Sequence, residues 1–168
     1  QHHAQSHIPG FGEGELDARV LPRILRRQAE RLADRPFLTM NGRSSSFAAM
    51  EELTNRLANG LRALGVERSH RVAILLPNCL EFVSLWFATS KLGAIEVPNN
   101  PELRGGLLAH NLRSCRAGVL VVDAARLPAV AAIEDELPNL HTLVLTDAEP
   151  ADARSAGIRI RRIVTYGE

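Results

Sequence analysis

Apolar residues keep helical spacing over the first part of the chain; from about Arg71 short apolar runs alternate with further helical segments. Leu21, Ile24, Leu25, Gln28 and Leu32 follow that spacing with one polar intrusion, and Pro22 suits a first helical turn. A helix is therefore predicted over Leu21–Leu32. Asp34-Arg35-Pro36 stops it, because the residue before a proline is pushed out of the helical region. Two short extended runs, Phe37 to Met40 and Arg43 to Phe47, flank Asn41-Gly42, the strongest local signal for a hairpin. A long helix from about Ala48 to Leu64 follows, with Met50, Leu53, Leu57, Ala58, Leu61 and Leu64 in one stripe and Gly65 as its cap.

Val72 to Leu76 is a continuous apolar run, as expected of a strand covered on both faces. Pro77 ends it. Asn78 is placed to cap the next helix, with Glu81 three residues on as its reciprocal partner. That helix, Leu80 to Leu92, is apolar nearly all round, so it reads as buried or sandwiched, with Trp86 and Phe87 in the core. Ala94 to Val97 then reads as a strand, and Asn100-Pro101 opens a helix from Glu102 to Cys115 that Gly105 and Gly106 weaken. Gly118 to Val122 is a strand, Ala125 to Leu137 a helix and Thr142 to Thr146 a strand. The alternation in Ile158 to Arg161 predicts an edge strand.

Strand and helix in alternation build a parallel sheet with right-handed crossovers. The expected fold is α/β, an open Rossmann-like sheet preceded by a helix, a hairpin and a long helix. The chain is expected to be the incomplete N-terminal part of a larger domain, because Arg162 to Glu168 stops with neither cap nor polar tail.

Composition narrows the function classes. The formal net charge is +1, far from the basic excess of a nucleic-acid binder. No apolar stretch is long enough to span a membrane. Cys79 and Cys115 have neither disulfide-scaffold nor zinc spacing and read as buried thiols in a reducing, cytoplasmic setting. Residues 1–15 hold three histidines and three glycines without an apolar core, and read as a disordered leader ahead of a unit spanning 16–168.

The usual motifs of chemistry fail. Gly10-Phe11-Gly12-Glu13-Gly14 follows no strand and opens no helix, so it cannot cradle a phosphate. Neither the dinucleotide glycine fingerprint nor a P-loop is present. Lys91, the only lysine, is expected to snorkel at a helix C-terminus. His70, His110 and His141 fall on different elements, and Glu134-Asp135-Glu136 reads as a solvated helix end. The residues themselves assign no catalytic, cofactor-binding or metal-ligating position.

An ordered set of segments carries a resemblance. It comprises Ser46 to Met50, Asn55-Arg56-Leu57-Ala58, Leu61 to Val66, Arg71 to Asn78, Glu81-Phe82, Phe87-Ala88, Lys91 to Ala94 and Val97 to Pro101. Together, from about Leu21 to Thr146, they resemble the opening of the adenylate-forming superfamily, closest to its medium-chain or carnitine-type CoA ligases. The resemblance implies a reaction in which a carboxylic acid and ATP give an acyl-adenylate and pyrophosphate with Mg²⁺, and coenzyme A then takes the acyl group. It also implies fatty-acid or related acyl metabolism. The family's phosphate loop with its lysine, its ribose-binding acid and its C-terminal lysine have no matching positions here, so these residues alone are expected to be inactive. Thr165 to Glu168 resembles the start of the helix that precedes that loop. The chain departs from the family at Ser69-His70, Ala49 and Gly105-Gly106. Two other readings stand beside this one: a stand-alone Rossmann-like binding module, and a nucleotide-binding oxidoreductase domain, against which the absent glycine fingerprint speaks.

Overall fold

The computed structural model describes residues 20–167. The leader and its Gly10–Gly14 stretch lie outside the described residues. The first helix, α1 (Leu21–Leu32), packs beside a hairpin of β1 (Pro36–Met40) and β2 (Arg43–Ser46). Asn41 and Gly42 both have positive φ, 51° and 74°, the geometry that lets a two-residue turn follow the twist of its strands. Ser46 caps the long helix α2 (Phe47–Ala63) by accepting a hydrogen bond from the Ala49 amide.

A five-stranded parallel sheet follows, made of β3 (Arg71–Leu75), β4 (Ile95–Pro98), β5 (Val119–Val122), β6 (Thr142–Leu145) and β7 (Arg162–Thr165) in the order β4-β3-β5-β6-β7. Its crossovers are α3 (Leu80–Leu92), α4 (Gly105–Cys115), α5 (Leu127–Ala131) and α6 (Pro150–Ser155). Strand residues alternate between two cores. Val72 and Ile74 pack with Ala58 and Leu61 of α2 and with Leu85 and Ala88 of α3. Ala73 and Leu75 face the other way, toward Leu108 and Leu112 of α4 and Val130 of α5. Both faces are thus covered, as a parallel sheet requires. A third, smaller core joins Leu25 of α1, Met50 of α2 and Phe87 of α3, with the Phe37 ring edge-on to Phe47 and Phe87 at centroid distances of 5.0 and 5.7 Å.

Several expectations are corrected. The cap of α3 is Cys79, whose Sγ accepts from the Phe82 amide, and not Asn78. Helix α4 begins at Gly105, because Asn100 Oδ1 turns the chain by accepting from the Glu102 amide and Gly105 enters the helix at a φ of 52°. The segment expected as one helix from Ala125 to Leu137 is broken into a 3₁₀ turn, α5 and a second 3₁₀ turn at Glu134–Glu136. There the Glu134 carboxylate accepts the Arg159 amide at 2.8 and 3.0 Å, and Arg159 also pairs with Asp135, so this acidic end is latched and not merely solvated. The last strand is Arg162–Thr165 and not Ile158 to Arg161. Ile158 and Ile160 are buried in the core below it, and Thr165 to Gly167 is strand end and turn, not helix. Trp86 is 50% exposed, on the solvent side of α3, while its neighbour Phe87 is buried. Helix α6 had no counterpart in the periodicity. Its signal is the capping box of Glu149 and Asp152 around Pro150.

Lys91 does not snorkel into water. Its Nζ lies 2.7 Å from Glu51 Oε2 and 2.7 Å from Asn55 Oδ1, so it ties α3 to α2, with the lysine and glutamate side chains 11% and 17% exposed. Removing one member of such a pair strands the other charge. Lys91→Met is expected to cost about 3 kcal/mol, the low end for a buried pair because both side chains keep some water. The measurement is the urea midpoint at unchanged m-value. The double variant with Glu51→Leu is expected to recover most of the loss.

Candidate functional site

In an open parallel sheet ligands bind beyond the carboxyl ends of the strands, where the strand order reverses. Here the chain steps from β3 outward to β4 and then back across β3 to β5, so the reversal lies between β3 and β5. The loops that leave these strands form the crevice: Leu76 to Cys79 after β3, Asn99 to Arg104 after β4, and Asp123 to Arg126 after β5.

One polar network holds that edge together. Asp123, 8% exposed, accepts from Arg126 Nη1 at 2.5 Å through Oδ2. The same guanidinium donates to the Pro101 carbonyl at 3.4 Å and reaches Glu102 Oε1 at 3.4 Å, which staples the loop after β4 to the end of β5. Asp123 Oδ1 is buried without a partner among the described residues. Asp147, after β6, accepts the Ala124 amide at 2.7 Å. Buried Asn99 donates to the Val97 carbonyl at 3.0 Å, and its own amide donates to the Ile74 carbonyl at 2.8 Å.

A second cluster sits at the N-terminus of α3. Ser84 Oγ and Tyr166 Oη are 2.6 Å apart, and Ser84 also donates to the Glu81 carbonyl. Burial, with the Glu81 charge, pushes the Tyr166 phenol up to about 12 against the Ser84 hydrogen bond, so it stays protonated. Burial also raises the Cys79 thiol. Burial alone would raise Glu81, but a backbone hydrogen bond and Arg43, 3.0 Å away, hold it below the usual carboxylate range. A protonated thiol and a serine bonded to a neutral phenol do not make an activated nucleophile.

The three histidines singled out in the sequence stay apart. His70 Nδ1 accepts the Glu67 amide at 3.1 Å, His110 is exposed on α4, and His141 pairs with Thr142 Oγ1 at 2.9 Å. The His141 ring also lies against Gly118, where an added Cβ would come within 2.5 Å of Nε2. Among the described residues no three His, Cys, Asp or Glu side chains converge to hold a metal. A groove of about 660 Å³ runs between α2 and β7, lined by Leu53, Leu57, Leu61, Val144, Val164 and Tyr166.

The comparisons with known proteins agree on one family. A family model described as AMP-binding enzyme matches residues 25–160. Crotonobetaine/carnitine–CoA ligase of Salmonella typhimurium is 37% identical over 112 residues, 66% of this chain and 22% of that protein. Among solved structures, an anthranilate CoA ligase in complex with anthranoyl-AMP shares 30% identity at a TM-score of 0.73, over 80% of this chain and 27% of that one. The N-terminal domain of a Mycobacterium tuberculosis protein, FACL13, shares 29% at 0.72, over 80% and 35%. The chain thus spans about a fifth of the length of the curated relatives it matches.

Glu96, in edge strand β4 opposite Val72, has one carboxylate oxygen buried without a partner among the described residues. Burial pushes its carboxyl up to about 7. Between the unfolded value near 4.5 and 7 the folded state holds a proton that the unfolded state has lost, so stability falls as pH rises through that window and is flat above it. The expected result is that Glu96→Gln removes this fall. Urea unfolding of both chains from pH 4 to 8 checks it, and parallel curves would overturn it.

Proposed function

The chain belongs to the AMP-binding enzyme family, and from that premise we propose that residues 16–168 are the N-terminal subdomain of an ATP-dependent acyl-CoA ligase. In that reaction a substrate carboxylate oxygen attacks the α-phosphorus of ATP and pyrophosphate leaves. The coenzyme A sulfur then attacks the acyl carbonyl and AMP leaves. The observation that carries the reading is the family match across residues 25–160, supported by the likeness to CoA ligases of known structure.

On this reading the chain supplies framework. Its doubly covered sheet holds the carboxyl-end crevice rigid, and the Asp123–Arg126–Glu102 staple fixes one wall of it. The groups that neutralise charge on the reacting phosphates belong to the segments of the ligase that this chain does not span. Among the described residues no cluster of donors fits Mg²⁺. No helix among the described residues is long and apolar enough to cross a membrane. The free thiols Cys79 and Cys115 suit the reducing cytoplasm, where we place the ligase.

Pyrophosphate exchange with a panel of carboxylic acids tests the proposal. The 168-residue chain alone is expected to give none, while the native gene product, expected to be much heavier than 18.4 kDa, gives exchange and a CoA thioester. Exchange by the chain alone, or a native product of 18.4 kDa, would sink it.

A further inference from the structure

The outer face of α1 carries a pattern that the ligase reading does not use. Val20, Ile24, Arg27 and Arg31 succeed one another at alternating steps of four and three residues, which stacks them along one face of the helix. Val20 is 45% exposed and Ile24 39%, so two branched apolar side chains stand in water at the head of an arginine row. The helix holds four arginines and one acid, Glu30, in a chain of net charge +1. Arg26, Arg27 and Arg31 are exposed and make no ion pair among the described residues. The opposite face is anchored, since Leu25 and Leu21 pack with Met50 and Phe87. The basic face is therefore presented already folded, and ordering it on binding costs little.

Charge alone would suit any polyanion, but Val20 and Ile24 gain nothing against a nucleic-acid backbone. They do gain at a lipid boundary, where arginine stems lie along apolar surface while guanidinium groups reach phosphate. A row of arginines beside two exposed branched side chains on a docked helix suits the surface of an anionic bilayer, where each arginine is attracted to headgroup charge. We propose that the Val20–Arg31 face of α1 docks on an anionic lipid surface, with Arg27 and Arg31 on headgroup phosphates and Val20 and Ile24 at the acyl boundary.

Co-sedimentation of the 168-residue chain with vesicles tests this without any adenylation chemistry. Binding is expected to phosphatidylcholine vesicles that contain phosphatidylglycerol, to weaken with salt, and to be absent from phosphatidylcholine alone. The double variant Arg27→Gln, Arg31→Gln is expected to lose roughly 30-fold in affinity, from about 1 kcal/mol per arginine near an anionic leaflet. Ile24→Ser is expected to lose a few-fold. All three side chains face solvent, so thermal unfolding of these variants followed by circular dichroism is expected to match the parent chain. Equal binding to neutral vesicles, no binding to anionic ones, or an unaffected double variant would overturn the proposal. So would binding to duplex DNA but not to vesicles.

Discussion

Strand β3 has no wet face, and the molecule is organised around that fact. Val72, Ala73, Ile74 and Leu75 are each fully buried, and β4 and β5 flank the strand on either side. A strand with two apolar faces needs two layers of helix. Helices α2 and α3 supply one layer, and α4, α5 and α6 the other. Polar groups are driven to the ends of the strands, which is where Asp123, Asn99 and Asp147 lie.

The elements that sequence reasoning located well were those with dense local signals. Helices α1 and α3 fall at their expected bounds, Leu21–Leu32 and Leu80–Leu92, because a proline or glycine marks their ends and an apolar period fills them. The hairpin followed from Asn41-Gly42. What was lost depended on contacts across the sequence. The break in the Ala125 to Leu137 segment comes with the Arg159 amide bonding Glu134, which no local pattern contains. The shift of the last strand past Ile160 arises because Ile158 and Ile160 are claimed by the core. Lys91 was misread for the same reason, since its partner Glu51 lies 40 residues earlier on another helix.

The candidate site was legible only in outline. Strand order fixes where a crevice must be, yet Asp123 and Arg126 are an ordinary acid and base in a loop until the fold brings Pro101 and Glu102 beside them. No motif of phosphate chemistry is legible in the residues themselves, so the family is shown by the match across residues 25–160 and by the relatives.

The bond between Ser84 and Tyr166 spans 82 residues. Strand β3 is made early, while β5, β6 and β7 come progressively later, each adding to the outer edge of the one before. Contacts of such long sequence separation are slow to form, because loop closure must precede the packing that rewards it. During synthesis the early half therefore waits with part of its apolar face uncovered. On this topology the vulnerable species is a nascent chain with β3 and α3 in place and β7 still missing. Proteolysis or aggregation would strike that intermediate more readily than the finished sheet.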